Sequence, residues 1–265
     1  MKKYIAALIF LLSGMHLMQA QETFQPKTEV ETLGKGVVYE RETTFDLRMH
    51  THGLSAGLNF GKLRTYYLTR FYHFELGELR HHKENRTSLD QTAGGSNVSR
   101  PFIYGKQNNF YALRVGIGEK RYFSEKAKRK GVAVGVSYEG GFSLGILKPY
   151  YLELYATENT GPFTSIISVK YSEDVAASFL NPWNIHGAST WFTGLNELNL
   201  LPGVQTQVAV HFDWGAFDEY AKAIEVGFML DLYLKQVPIM VDLPDVENRP
   251  FFLNLFVNLQ FGKRQ

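Results

Sequence analysis

The stretch that decides the fold is VAVGVSYEGGFSLGI, residues 132–146. Large apolar residues such as Val134, Phe142 and Leu144 stand at every second position, and the residues between them are small or polar. Successive side chains of a β-strand point to opposite faces of the sheet. The stretch therefore predicts a strand with one apolar face and one small or polar face.

The same alternation recurs along the chain. It is clear in residues 54–60, 111–117, 204–214, 222–234 and 251–261, and weaker in residues 44–49 and 66–76. Together these segments predict about eight strands, most of them near the roughly 9–11 residues that a tilted membrane strand needs. We therefore expect an all-β fold, a closed antiparallel transmembrane β-barrel with long surface loops.

The small residues of the alternating stretches lie opposite the apolar ones. In a small barrel in lipid, the apolar face points outward and the small face fits a crowded interior. The residues expected to contact lipid include Val134, Val136, Phe228, Leu230 and Leu255. A soluble barrel that binds an apolar ligand, as lipocalins do, is the alternative, but it requires an apolar interior.

The N-terminus has the three parts of an export signal. Lys2 and Lys3 precede a short apolar run, residues 4–12, and Ala20 ends a plausible cleavage site before Gln21. The run is about half the roughly 20 residues that a membrane-spanning helix needs. We predict a signal peptide over residues 1–20, a flexible lead over 21–36 and an outer-membrane barrel over 37–265.

The composition agrees with this interpretation. Of 265 residues, 14% are aromatic and 24 are glycine, and there is no cysteine. Aromatic-rich, glycine-rich strands are typical of membrane barrels. The net charge of +2 is too small to indicate nucleic-acid binding. The mean hydropathy of −0.19 does not exclude a membrane barrel, because alternating strands average to neutral.

The connections between the predicted strands differ in length. Short turns are expected at residues 50–53, 61–62 and 215–220, and a moderate basic turn at 119–131. The longer loops are expected at residues 77–107, 147–203 and 235–250. If both termini face the periplasm, three of the four outward loops are long, as expected for outer-membrane barrels.

The sequence pattern predicts secondary structure within the longest loop. Residues 151–155 and 163–171 could form a hairpin above the membrane, or they could be a ninth and tenth barrel strand. Residues 190–201 could form a short helix. Disordered segments are poor in aromatic residues, so we expect this loop to be ordered. Trp183, Trp191 and Phe192 are candidates for docking other envelope proteins, or they could pack the loop onto the barrel rim.

The polar positions of the strands form one predicted cluster inside the barrel. A lone buried charge costs several kcal/mol, so acids and bases that share this face predict a hydrogen-bonded plug rather than a proton path or catalytic dyad. The predicted lumen residues are Asp46, Arg48, Asn59, Arg114, Glu139, His211, Asp213, Glu225, Asp231 and Asn254.

The sequence shows no catalytic or cofactor-binding motif. Ser143, Glu139, His186 and Ser189 supply the residue types of a hydrolase, but no nucleophile motif surrounds either serine. An outer-membrane barrel enzyme that acts on lipid or peptide is therefore the alternative to a structural or interaction protein. The histidines at positions 50, 52, 81 and 82 fall in two loops on one side, a weak signal for metal.

Several segments resemble known proteins. The ending FFLNLFVNLQFGKRQ, residues 251–265, is similar to the closing strand of Bacteroidota outer-membrane barrels. HHKENR at 81–86, YGKQNNFYALRVGIG at 104–118, KPYYLEL at 148–154 and GLNELNLLPG at 194–203 resemble a family of the same phylum. The resemblance implies a small OmpX- or PorT-like barrel in the outer membrane and implies no reaction. The four residues after Phe261 depart from the commoner terminal-aromatic ending.

Overall fold

The structure is a computed structural model that describes residues 39–65, 67–88, 100–124, 131–156, 165–216, 218–244 and 246–265. The predicted signal peptide, its cleavage site at Ala20 and Gln21, and the predicted lead over 21–36 lie outside the described residues.

Thirteen strands form within the described residues. They are β1 Arg41–His50, β2 Gly53–Thr65, β3 Leu68–Leu79, β4 Arg86–Thr87, β5 Phe102–Ile103, β6 Asn108–Tyr122, β7 Ala133–Pro149, β8 Tyr151–Tyr155, β9 Ile166–Lys170, β10 Ile185–Ala188, β11 Asn199–Asp213, β12 Tyr220–Tyr233 and β13 Phe251–Arg264.

Eight of these strands form a closed barrel in the order β1-β13-β12-β11-β7-β6-β3-β2. Every neighbouring pair is antiparallel, and the barrel closes where β1 pairs with β13, with Phe45 opposite Phe261 and Leu47 opposite Leu259. This confirms the predicted all-β, closed antiparallel barrel and the strand count of eight.

Burial in the barrel strands follows the alternation of the sequence. In β1, Asp46 and Arg48 are buried in the interior, while Phe45, Leu47 and Met49 are exposed on the outside. The polar face therefore points inward and the apolar face outward. This arrangement excludes the apolar interior that a lipocalin-like ligand barrel requires.

One predicted turn is wrong. Residues 61–62 are not a turn but lie inside β2, where Gly61 pairs with Glu42 on one side and Phe71 on the other. The apolar pattern stops before the strand does, because the outward positions near this end of the barrel are the polar residues Lys62 and Arg64. The connection to β3 follows at residues 66–67, of which 67 is described.

The two ends of the barrel differ in what connects the strands. At the loop end lie a two-residue turn, 51–52, and three long connections, 80–107, 150–198 and 234–250. The terminus end contains the first residue of β1, the last of β13 and the shorter connections 66–67, 123–132 and 214–219. The predicted asymmetry is confirmed.

A second, small sheet lies in the 150–198 connection. Its order is β10-β8-β9, and Tyr151 pairs with Lys170 at one end of the β8–β9 hairpin. The predicted hairpin therefore forms, and the alternative of a ninth and tenth barrel strand is wrong. The described helical segments are short, at Glu173–Val175, Ala176–Phe179 and Pro182–Asn184.

The helix predicted over residues 190–201 is also wrong. Turns occupy residues 191–196, and the chain enters β11 at Asn199. Gly194 has a φ of +86°, in the left-handed region that an α-helix cannot contain. Leu200 and Leu201 instead pair with Ile146 and Gly145 of β7.

No helix among the described residues is long and apolar enough to cross a membrane.

Candidate functional site

The interior of the barrel near the terminus end contains a paired cluster of charges. The Arg264 guanidinium donates to Glu42 at 2.7 Å and to Asp213 at 2.8 Å. Lys120 lies 3.3 Å from Glu42, and the Tyr122 hydroxyl donates to Asp213 at 2.9 Å. All five side chains are buried. The last residues of β13 are thereby tied to the first residues of β1.

Next to this cluster in the barrel interior, the carboxylates of Asp46 and Glu225 share two hydrogen-bond donors. The amides of Asn258 and Gln260 each donate both to Asp46 and to Glu225, at 2.9–3.0 Å. Glu225 also lies 2.9 Å from His211 Nδ1, and Asp46 accepts from Asn59 at 2.8 Å. Every one of these groups is an inward position of a barrel strand.

Arginines organise the interior toward the loop end. Arg114 donates twice to Asp231, both at 2.8 Å, and also to Glu75. Arg48 lies 2.7 Å from the other oxygen of Glu75 and 4.4 Å above the ring centre of Phe256. Two buried cations thus face two buried anions, which is the condition for charges to be tolerated away from water.

Glu139 is held by amides instead of a cation. Gln205 and Gln207 each donate to it at 2.5 Å. Gly116 of the neighbouring strand provides the space for the Glu139 side chain. A Cβ at position 116 would lie 2.5 Å from Glu139 Oε1 and 2.7 Å from Gln205 Nε2. A small residue on the inward face therefore makes room for the large polar side chains of the neighbouring strands.

The structure places every predicted lumen residue at a buried position, most of them in these clusters. Asn254 accepts from Thr51 at 3.1 Å and lies 2.6 Å from His52 Nδ1, so it joins the network to the 51–52 turn. Such a network can fill the barrel and link its strands.

The sequence prediction missed several central members of the network. Glu75 lies in the weakly alternating segment that became β3. Lys120 was assigned to a turn, and Arg264 to a tail after the last strand. Their position in the alternation is the signal that would have found them, since Glu75 shares the parity of His73, and Arg264 that of Gln260.

An apolar layer covers the lumen at the loop end. Phe110, Tyr233 and Phe252 contact one another edge-to-face or stacked, with ring centres 5.1–6.2 Å apart. Val237, Ile239 and Met240 of the 234–250 connection complete the same buried cluster. Ile239 is fixed there, because its carbonyl accepts from the backbone of residues 107 and 108 at 2.8 and 3.0 Å. The described part of the connection therefore closes the mouth of the barrel.

The 80–107 and 150–198 connections, which we call the cap, share a separate apolar core, the cap core. It contains Phe102, Leu152, Leu154, Phe179 and Ile185. The partner-docking candidates lie outside it: Trp183 and Phe192 are 76% and 74% exposed. Trp191 packs on the outer barrel wall, where its indole N–H donates to the Tyr111 hydroxyl at 3.0 Å.

A cavity of about 540 Å³ opens beside Trp191. Four basic and two acidic side chains contribute to its lining, together with Tyr111, Tyr150 and Tyr151. The acids are paired, Glu78 with Arg80 at 2.6 Å and Glu84 with Lys106 at 2.5 Å. We call this the rim cavity.

Of the four histidines predicted in loops, His50 instead lies buried at the end of β1. Three of them, His52, His81 and His82, line a smaller cavity of about 250 Å³. The His52 ring is bound to Asn254, the His81 ring lies 3.3 Å from the Glu247 carbonyl, and burial lowers the pKa of His81. Across the described ranges, no group of three or more potential ligands has metal-binding geometry.

The residue types of a hydrolase lie in separate environments. Ser143 is buried in the lumen against the Tyr233 hydroxyl at 2.8 Å, and Glu139 is bound by its two glutamines. His186 contacts Tyr155 at 3.0 Å and Ser189 contacts Ser168 at 3.2 Å, both in the small sheet. A catalytic triad requires a serine, a histidine and an acid that contact one another. These four residues contact other side chains instead.

Comparison with known proteins finds similarity among solved structures only at low sequence identity. No protein-family model and no curated protein sequence matches the chain. Among solved structures, the N-terminal β-barrel domain of OprF from Pseudomonas aeruginosa aligns with 86% of this chain and 98% of its own. The sequence identity is 7% and the TM-score is 0.35.

Proposed function

We propose that this protein is an outer-membrane β-barrel with a closed lumen and a structural or interaction role in the cell envelope. The observation that supports this most directly is the outer face of the barrel. Apolar side chains are exposed on all eight strands, among them Phe45, Leu58, Phe74, Val115 and Phe228. Soluble monomers rarely expose contiguous apolar patches above a few hundred Å², whereas lipid is the natural solvent for a band of this kind.

Aromatic residues at the terminus end support the same proposal. Phe123, Trp214, Tyr220 and Phe261 are exposed there, on or beside four different strands. Girdles of aromatic side chains mark the membrane interfaces of outer-membrane barrels. The terminus end would then face the periplasm, and the long connections would face the cell exterior.

The closed lumen favours a role other than that of a porin. An eight-stranded barrel is just wide enough for its side chains to fill, and here charge pairs and the apolar layer under Ile239 occupy it. In planar bilayers we expect the purified protein to show no steady porin-like conductance. Large, reproducible single-channel steps would contradict the closed lumen.

The interaction role is proposed for the exposed aromatics of the cap. Trp183 and Phe192 are more exposed than Trp191 and contribute nothing to the cap core. Tyr and Trp are favoured anchors of binding surfaces. Replacing both Trp183 and Phe192 with serine should leave the barrel folded and remove co-purifying envelope proteins. A matched control is Phe123→Ser, at the opposite end of the barrel.

Membrane fractionation tests the proposal as a whole. The protein should be recovered in the outer membrane, resist extraction by high salt and migrate differently on gels before and after heating. Recovery in the soluble periplasm would refute it. A lipase or protease activity that survives purification would instead favour the alternative of an outer-membrane barrel enzyme.

A further inference from the structure

We propose that the rim cavity binds the phosphate-bearing head group of a lipid in the outer leaflet. The inference rests on the proposed membrane location and names a ligand class for a site outside the lumen. Three features support it: the place of the cavity on the barrel wall, two cations without a carboxylate partner among the described residues, and the aromatic lining.

The cavity lies directly above the apolar band. On the outer wall, strand pairing places Leu76, Leu113 and Leu144 in one row across β3, β6 and β7. The next row toward the loop end contains Glu78, Tyr111 and Ile146, and the row after it pairs Asn109 with Lys148. The wall therefore changes from aliphatic to aromatic and charged within two rows. A lipid whose chains lie on the lower row would place its head group at the cavity.

Two cations of the cavity have no carboxylate partner among the described residues. Arg80 and Lys106 are paired with acids, whereas Arg86 and Lys148 form no ion pair within these ranges. Lys148 is only 3% exposed, although it lies on the outward face of β7. Its ammonium nitrogen lies 5.3 Å from the ring centre of Trp191, which covers it. The Lys148 side chain borders the cavity, and a phosphate group there would supply the anionic partner that a poorly solvated ammonium requires.

The aromatic lining suits the part of the ligand that joins phosphate to chains. Trp191 is fixed over the wall by its hydrogen bond to Tyr111, and Tyr150 is fixed by accepting from the backbone N–H of Ile103 at 3.1 Å. Amphipathic rings of this kind lie at the level of lipid head groups. Glu78 and Glu84, which pair with Arg80 and Lys106, also line the cavity. Their negative charge disfavours binding of a small free anion of high charge.

The test uses the full chain in phosphatidylcholine vesicles, with Trp183→Phe and Trp214→Phe so that Trp191 is the one fluorescent indole. The probe is phosphatidic acid with brominated chains, added at increasing fractions, and brominated phosphatidylcholine is the reference. We expect phosphatidic acid to quench Trp191 at a much lower fraction than phosphatidylcholine. Charge-assisted hydrogen bonds contribute about 1.5–3 kcal/mol, so Lys148→Met or Arg86→Gln should weaken the preference at least about tenfold.

Lys62→Met is the matched control, since Lys62 is an exposed outward lysine on β2 near the other end of the barrel. Arg86 lies outside the barrel strands. If Lys148→Met fails to assemble, Arg86→Gln still measures the loss of lipid preference. In micelles without phospholipid, a response of Trp191 to inorganic phosphate that Arg86→Gln removes would identify free phosphate as the source of the same ligand chemistry.

Equal quenching by the two lipids, or an unchanged preference in both variants, would overturn the inference. That failure is distinct from failure of the proposed function. A protein that does not enter the membrane would not be quenched by brominated phosphatidylcholine either, whereas an inserted protein without a phosphate preference would refute only the rim site.

Discussion

The barrel lumen and the cap core differ in the polarity of the side chains that they bury. Below its apolar layer at the loop end, the lumen buries mainly polar and charged residues such as Arg114 and Glu75, whereas the cap core buries apolar residues such as Phe179. The difference follows from the surroundings of each region. If the wall faces lipid, as we propose, its outward residues must be apolar, so the polar residues of the same strands point inward. The cap lies beyond the apolar band and buries its apolar residues as a soluble domain does.

Removing one charge from the lumen should have the largest effect. Arg114→Met leaves Glu75 and Asp231 without the cation that lies between them, and breaking a buried pair costs about 3–5 kcal/mol. Urea unfolding of the barrel in micelles, followed by loss of the heat-modifiable band, measures it. The control is Arg70→Met, which removes an exposed arginine 2.6 Å from Glu119 on the outer wall of the same two strands. It should cost at most about 1 kcal/mol. Equal losses would mean that the lumen is not shielded from water.

Truncating the cap core should be nearly as costly, but the loss should stay local. Phe179 is fully buried against residues of the small sheet, and Phe→Ala in a core costs about 3–5 kcal/mol. Phe179→Ala should make the 150–198 connection sensitive to limited proteolysis while the barrel keeps its heat-modifiable migration. Phe192→Ala, at an exposed position, should change neither. If Phe179→Ala also unfolds the barrel, the two regions are not independent.

A charge on the lipid face should rank third. Phe228 is exposed in the middle of β12, where it pairs with Leu255 and Val208. Arginine near the bilayer midplane costs about 2–4 kcal/mol and close to nothing at the interface. Phe228→Arg should therefore reduce assembly into vesicles more than Trp214→Arg at the terminus end. Equal tolerance at both positions would count against the membrane orientation.

The smallest effect concerns an exposed ion pair of the cap. Lys170 donates to Glu197 at 2.7 Å, and this hydrogen bond holds the pKa of Glu197 below its usual 4.5. A lowered carboxyl pKa contributes stability above the unfolded pKa, and that contribution disappears as pH falls through the folded pKa. Protease resistance of the cap should decline slightly more in wild type than in Glu197→Gln when the pH is lowered below 4.5. NMR titration of Glu197 gives the pKa directly.

The sequence predicts the barrel better than the cap for a physical reason. Alternation has a period of two and each barrel strand repeats it, so residues such as Asp46 and Glu225 could be placed inside without knowing their partners. Partners depend on register and barrel closure, which is why Glu75 and Arg264 were missed. The turn predicted at residues 61–62 was misplaced because the apolar alternation ends at Phe60, whereas β2 continues past Lys62.

The cap gives no such repeated signal. Its strands have at most five residues, and its core joins Phe102 from one connection to Phe179 and Ile185 from another. The rim cavity is harder still to predict, because Arg86, Lys148 and Trp191 meet only after three separate parts of the chain have folded.

The pairing of β1 with β13 has a consequence for how the chain folds. The first and last strands of the barrel are neighbours, so the hydrogen-bonding edge of β1 has no partner until nearly the whole chain has been delivered. Exposed strand edges promote aggregation, and contacts this distant in sequence form slowly. Arg264, which bonds to Glu42 across that junction and to Asp213 of β11, would act only at the end of assembly. We therefore expect the open edge of β1 to need protection until β13 has paired with it, and a truncation of the last few residues should prolong that vulnerable stage.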